Sequence, residues 1–480
     1  MPVTDKLMDL TQELVSLGIP YETARIQVDL LSRGSQYADL SRSAAIGDGI
    51  IRLSEVEVEA AIDLYDSREE RVKVLKFVPA SGAATRMFKD LRLFLDAGKE
   101  NPASKHFFEN LEKIPFRELL DESMSAPEIA EYLLSKEGLQ LGRQPKGSIL
   151  FHRYEDGSRT AFEEHLVEGA SYAMTDRKVH IHFTIAPEHL EQVKQKMLNW
   201  SKAYGALLSV VYDLQFSIQS DTTNTMCLDT EGEAIRNADG RLLLRPGGHG
   251  SLIHNLNSLD ADIIFIKNID NVVPDNLRAE IVSYKKALGG LLMQVRRDAR
   301  RHIETLKTSG VREEAIQFLV KMGLAVNADT DSEELIRLMN RPYRICGMVK
   351  NEGEPGGGPF WVKNGDGESL QIVESAQIDL GQEKNREMLD KGTHFNPVDL
   401  VCCLNDLYGQ RQHLLDFVDM NSAFVTEKQV DGATAQVLEW PGLWNGAMAH
   451  WNSLFVEVPI GTFNPVKTVN DLLRPMHQAS

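Results

Sequence analysis

Cysteine is scarce: Cys227, Cys346, Cys402 and Cys403 are the only four in 480 residues. None forms a C-x-x-C pair, and on a strand the adjacent Cys402 and Cys403 would point to opposite faces. They read as reduced core residues, which points to the cytosol. Long apolar runs are also missing; none approaches the roughly 20 residues that a membrane-spanning helix needs. The opening M-P-V-T-D-K-L-M-D-L has neither the basic start nor the apolar core of an export signal. Positive charge is in deficit, with 52 Lys and Arg against 70 Asp and Glu and a formal net charge of −18. Such acidity argues against nucleic acid and anionic membranes as partners. Any phosphate ligand must therefore be met by local Lys and Arg, backbone N–H groups and metal. There is no Ser-His-Asp or Cys-His signature, no internal repeat and no low-complexity tract.

The chain is long enough for two or three domains, and its apolar content of 42% is enough for a sizeable core. Residues 1–70 read as an N-terminal helical region: Leu7, Leu10 and Leu14 share a face, and Ser54 with Glu57 forms a capping box ahead of a third helix. From residue 71 the pattern changes to alternating strands and helices, which predicts an α/β fold with a mixed, mostly parallel sheet. Two helical insertions interrupt it, at about 99–140 and 275–340. A strand over V-K-V-L-K-F-V is followed by the small-residue loop P-A-S-G-A-A-T-R and a helix, a geometry that suits phosphate. Arg86 adds a forked donor there. This loop fits neither G-x-G-x-x-G nor G-x-x-x-x-G-K-[ST]. Lys146, in the turn Q-P-K-G, is either a phosphate ligand or a solvated lysine. Gln219 lies at a strand end, where its amide could read a base edge. The loop E-G-E-P-G-G-G-P-F-W after strand 343–349 reads as a hairpin or a lid, with the hairpin preferred.

One stretch organises the rest: R-P-G-G-H-G-S-L-I-H-N-L-N-S-L-D-A-D-I-I-F-I-K-N-I-D-N, residues 245–271. Its Gly-rich turn lets a ligand approach the backbone, and a short helix with Ser251 in its first turn should follow. The strand D-I-I-F-I is apolar on both faces, as a central strand covered by helices is. It ends in Lys267, Asn268, Asp270 and Asn271, at the carboxyl edge where open α/β sheets bind ligands. Asp270 can offer a hard oxygen to Mg²⁺. The plain alternative is an ordinary turn followed by a polar loop. Further on, Asn396 and Asp399 can bond a sugar hydroxyl or a metal-bound water. Lys467 sits in a turn before a closing helix, where Asn470 and Asp471 read as caps.

Several of these segments, in this order, resemble the UDP-sugar pyrophosphorylase superfamily. R-P-G-G-H-G-S-L resembles its P-P-G-H-G-D turn, K-N-I-D-N its N-I-D-N, and F-S-I-Q-S its F-N-Q-S. L-Q-I-V-E-S-A-Q-I resembles L-V-E-I-A-Q-V. V-P-I-G-T-F-N-P-V-K-T-V-N-D-L-L resembles V-P-R-S-R-F-L-P-V-K-T-T-S-D-L-L. The similarity runs over about 72–475, and the nearest branch is the bacterial domain-of-unknown-function family 4301. The resemblance implies a glycosyltransferase-A-like, Rossmann-like nucleotidyltransferase domain. The implied reaction is attack of a sugar 1-phosphate on the α-phosphate of UTP, giving a nucleotide-sugar and pyrophosphate, with Mg²⁺ as cofactor. Carried over by motif, Ser81, Gly82, Thr85 and Arg86 would meet the triphosphate, together with Lys146. Gln219, Gly247, Gly248 and His249 would surround the nucleotide, and Asn268, Glu374 and Asn396 the sugar. Lys467 would hold the sugar phosphate, and Asp270 and Asp399 the metal. Ala84 and Phe88 stand where the family loop prefers small residues, and about sixty residues separate Arg86 from Lys146. Two other readings stay open: a nucleotide-sugar sensor that binds without turnover, and a glycosyltransferase of the same fold. The oligomeric state is left open, a homo-oligomer included.

Overall fold

The computed structural model describes residues 3–34, 36–353, 357–365, 367–430 and 433–479. The strands that position the site are β1 (Gly49–Ile51), β2 (Val74–Pro79), β3 (Lys178–Thr184), β4 (Val211–Ser217), β5 (Ile263–Lys267), β6 (Tyr343–Lys350), β7 (Gly358–Asn364), β8 (Gly367–Val373), β9 (Asp399–Cys403), β10 (Phe424–Val430), β11 (Ala433–Glu439) and β12 (Asn452–Glu457). An eleven-stranded sheet carries the chain, with central order β1-β12-β6-β9-β5-β2-β3 and β4 beside β3. The expected mixed, mostly parallel sheet is present: β1–β12, β12–β6, β5–β2, β2–β3 and β3–β4 are parallel. Only β9 reverses the interior, antiparallel to both β5 and β6. All five residues of β5 are buried, as the apolar run on both faces predicts.

The chain lays down β2, β3 and β4 in one direction and then returns to place β5 on the other side of β2. That reversal opens a crevice at the carboxyl ends of β2 and β5, the place where such sheets take ligands. The loops after β2, β4 and β5 all emerge on this edge, because the four strands are parallel.

Helices cover both faces. Those used below are α1 (Val3–Ser16), α2 (Tyr21–Arg33), α3 (Glu55–Asp66), α4 (Ala161–Ala170) and α5 (Arg278–Ser309). The long α5 packs on α3, and Gly289 and Gly290 make the close crossing possible. A Cβ on Gly289 would lie 2.6 Å from the Tyr65 ring, and one on Gly290 would strike the Ala61 carbonyl. Two glycines inside a helix cost about 1 kcal/mol each, a cost offset here by the buried contact of α3 with the sheet face. Helices Pro102–Glu109 and Ala126–Leu134 lie between β2 and β3 in the chain, and α5, Glu313–Lys321 and Ser332–Met339 lie between β5 and β6. Among the described residues no helix is long and apolar enough to cross a membrane.

Two local readings are corrected. The helical expectation for residues 1–70 fails between Leu40 and Ile51, where Leu40–Ser43, Ala45–Ile46 and β1 form strands. Gly47 and Gly49 sit at φ +83° and +94°, which a helix does not allow, and Ile50 is buried in the sheet. The hairpin expected at 352–361 also lies elsewhere. Positions 354–356 of that loop fall outside the described residues, and β7 pairs with β8 and with Leu40–Ser43 rather than folding back on β6.

Candidate active site

The crevice at the carboxyl edge widens into a cavity of about 980 Å³. Ser81, Gly82, Thr85 and Arg86 line it from the loop after β2, Gln219 from the loop after β4, and Asn268 and Asp270 from the loop after β5. Gly248 and His249 line it from the Gly-rich turn. Lys146 and Lys467 enter from segments 124 and 197 positions away from Asp270.

Three charged groups meet there. Lys146 Nζ donates to Asp270 Oδ2 at 2.6 Å, and Lys467 Nζ donates to the same oxygen at 2.9 Å. Burial alone would raise the Asp270 carboxyl, but the two ammonium groups outweigh it and hold the group below its ordinary value. Burial pushes Lys146 below the ordinary lysine value despite the carboxylate beside it. The Lys146 side chain is 15% exposed and that of Lys467 62%, so one ammonium is built into the wall and the other reaches out from the rim.

Local structure fixes each of the three. Lys146 N donates to Gly82 O and Ala84 N to Gln144 O, so the Lys146 segment is stitched to the loop after β2. Thr85 Oγ1 adds a bond to Gly142 O. Among the described residues no backbone acceptor meets the N–H groups of Ser81 and Gly82. The loop closes as a tight turn, Ala84–Arg86, and the helix starts only at Lys89. Ala84 is 1% exposed, yet it is part of the cavity lining. Asp471 receives the backbone N–H groups of Lys467 and Thr468 at 2.7 and 2.6 Å. It is the cap that the sequence predicted, and it sets the backbone from which Lys467 reaches Asp270.

His249 stacks on Trp444, with ring centroids 4.2 Å apart. Its Nδ1 accepts the Leu443 N–H at 3.0 Å, so Nε2 carries the proton and donates to Glu374 Oε1 at 2.9 Å. The hydrogen bond from His249 holds the half-buried Glu374 below the ordinary carboxylate value, against the effect of burial. Glu374 thus reaches the cavity through His249. It lies just past β8, as the cap of a short turn.

Other predicted residues are elsewhere. Gly247 lies behind the turn, where an added Cβ would strike the Trp440 indole. Ser251 is 1% exposed and does not face the cavity. Lys267 and Asn271 are buried; Asn271 receives the Asn464 N–H, and Lys267 Nζ bonds Glu168 on α4. Asn396 is 4% exposed, and its side-chain oxygen accepts the Val398 N–H at 3.1 Å. Val398 is held at φ +55°, a costly conformation for a β-branched residue. Asp399 is corrected as a metal ligand. It is 1% exposed on β9, outside the cavity lining, with its carboxylate paired to the buried Lys285 of α5.

No three His, Cys, Asp or Glu side chains among the described residues form a cluster able to hold a metal by protein ligands alone. Mg²⁺ is usually held by one or two carboxylates together with waters and substrate phosphates. Asp270 fits that pattern as a single carboxylate in the cavity lining.

The chain matches the family described as domain of unknown function DUF4301 over residues 8–478. It belongs to the DUF4301 family. No curated protein matches it. Solved structures similar to this DUF4301 chain include a UDP-glucose phosphorylase from Trypanosoma brucei, at 12% identity and TM-score 0.48, covering 97% of this chain and 78% of the other. A UDP-glucose pyrophosphorylase from Leishmania major has 14% identity and TM-score 0.46, with the same coverage. An inositol-1-phosphate CTP transferase from T. maritima has 9% identity and TM-score 0.31, covering 81% and 86%.

Three cavity residues of this family member were not singled out by the sequence. Arg245 opens the Gly-rich stretch, Lys428 comes from β10, and Trp444 forms the platform under His249. The signal for Lys428 was present: Phe424, Thr426, Lys428 and Val430 alternate along one strand face, an unusual place for a lysine.

Proposed function

We propose that the protein is a cytosolic nucleotidyltransferase with a glycosyltransferase-A-like domain, joining a nucleoside triphosphate to a sugar 1-phosphate and releasing pyrophosphate. UTP is the favoured donor. The observation that carries this reading is the charge of one cavity: Arg86, Lys146, Arg245, Lys428 and Lys467 against Asp270, in a chain of net charge −18. A protein so acidic concentrates cations in one cleft when its ligand is a polyanion.

In the proposed reaction an oxygen of the sugar phosphate attacks the α-phosphorus of the nucleotide. The bond from that phosphorus to the bridging oxygen breaks, and pyrophosphate carries away the electron pair. Such transfer needs alignment and neutralised charge rather than a protein nucleophile. Lys146, beside the loop after β2, would hold the triphosphate, and Lys467, at the rim, the incoming phosphate. The Ser81 and Gly82 N–H groups add donors that cost no reorganisation. Gln219 and Gly248 border the end of the cavity suited to the base, and His249 with Glu374 the part suited to sugar hydroxyls. When bound, Mg²⁺ would be held by Asp270 and the substrate phosphates, and would supply further neutralisation. Four free, buried cysteines accord with a reducing compartment.

The test is to incubate the protein with each nucleoside triphosphate, a panel of sugar 1-phosphates and Mg²⁺, and to measure pyrophosphate. Release with one nucleotide and sugar pair, lost in Lys146→Ala and Lys467→Ala, is the expected result. Tight binding of a nucleotide-sugar with no reaction in either direction would replace the enzyme by a sensor.

A further inference from the structure

The antiparallel pair β10 and β11 borders the cavity, contributing Lys428, Gln429, Val430 and Val437 to its wall. Alternation puts Lys428 on the same face as Val430, Ala435 and Val437, which pack with the buried Cys227. An ammonium group on such a face needs a counter-charge, and Lys428 Nζ finds it at 2.6 Å in Glu439 Oε1. The Lys428 side chain is 40% exposed and that of Glu439 17%. Glu439 is held in place by its surroundings: it lies against the nucleotide turn, where a Cβ on Gly248 would come within 2.7 Å of Glu439 Oε2. The carboxylate is therefore the fixed member of the pair and the long lysine the movable one.

This arrangement differs from that of Lys146 and Lys467, whose partner Asp270 itself lines the cavity. Glu439 is not part of the lining. A half-exposed single ion pair is weak, whereas a polyphosphate offers several negative charges to the same ammonium group in a cleft that is already cationic. Resting on the nucleotidyl-transfer reading, we infer that Lys428 is a further phosphate-binding residue, which exchanges its partner Glu439 for the polyphosphate when nucleotide binds. No bond is made or broken; the ammonium exchanges one anionic partner for another. Glu439 then sets affinity by competition, so loss of either member changes binding in opposite directions.

The test is calorimetric titration of the intact protein with inorganic tripolyphosphate, without metal, for the wild type, K428M, K428R, E439Q and K146M. Removing a charge-assisted bond to phosphate should weaken K428M by about tenfold or more, and K428R should stay near the wild type. E439Q should bind a few-fold more tightly, since only the competitor is lost. A purely structural pair would shift both variants the same way. Wild-type affinity in K428M alongside weakened binding in K146M would overturn this inference and leave the transferase reading intact. Weaker binding in E439Q would overturn the exchange. No binding by the wild type would overturn both proposals together.

Discussion

Asp270→Asn keeps the shape of the side chain and removes the one acidic group among the described residues that line the cavity. In the wild type that charge is met at 2.6 Å by Lys146 and at 2.9 Å by Lys467. A phosphate entering beside the lysines would stand about 5 Å from the carboxylate. At an effective dielectric constant of about 20, unit charges at that distance repel by roughly 3 kcal/mol. Lys467 is largely exposed, so screening reduces the effect to about 1 kcal/mol, or about fivefold in affinity. We predict that D270N binds metal-free UTP about fivefold more tightly than the wild type, while its turnover in Mg²⁺ falls by about a hundredfold or more, as expected for loss of a metal ligand. The alkaline limb of kcat/KM should move as well. Burial lowers the pKa of Lys146 and Asp270 opposes that lowering; without the carboxylate the ammonium loses its proton at lower pH, and the limb shifts down. Stability follows the usual sign for a depressed carboxylate. The contribution of Asp270 is present above the unfolded value of about 3.9 and is lost as pH falls through its lower folded value. D270N should therefore be less stable than the wild type at neutral pH and equal to it in acid. Titration calorimetry, a pyrophosphate assay across pH and a denaturant series read all of these. Unchanged nucleotide affinity, metal requirement and alkaline limb would show that Asp270 and Lys146 do not act on a common ligand.

Gly248→Ala should weaken nucleotide binding and cost about 1–2 kcal/mol of stability, because φ is +79° and the new methyl group would press on Glu439; urea unfolding with and without nucleotide separates the two effects. Glu374→Gln should raise the KM for the sugar phosphate more than that for the nucleotide, since it alters the partner of His249 Nε2, and equal changes in both would remove Glu374 from the sugar end. Glu168→Gln should destabilise the protein by about 3–5 kcal/mol, as it leaves the buried ammonium groups of Lys76 and Lys267 without their shared carboxylate. Denaturant midpoints within error of the wild type would show that the Glu168 bridge does not stabilise the fold.

What the sequence revealed, and what it hid, follows from how each residue meets its partners. Lys146, Asp270 and Lys467 were readable because each sits in a turn bounded by a strong strand or cap signal, and a parallel sheet sends such turns to one edge. Lys267 and Asp399 were misread for the same physical reason as each other. Both flank apolar strands and looked like polar strand ends at a ligand edge. In the fold they are cross-strand neighbours on β5 and β9. Only the antiparallel insertion of β9 between two otherwise parallel halves brings them together, beneath α4 and α5. That pairing spans 132 positions in the chain and leaves no local periodicity.

The buried charges also bear on why the cavity floor holds its shape. Glu168 on α4 bonds Lys76 of β2 and Lys267 of β5, the two strands whose loops form the crevice. His165 on the same helix bonds the carbonyl of Ile269, the residue before Asp270. Burial lowers Lys76 to about 7, with Glu168 opposing that shift. An apolar set of the same volume would pack as well and would avoid the desolvation cost. What it could not supply is direction: hydrogen bonds from one helix fix the relative height of two strand ends and the carbonyl beside Asp270. The position of the Asp270 carboxylate would then depend on α4 as much as on its own loop, although no residue of α4 lines the cavity.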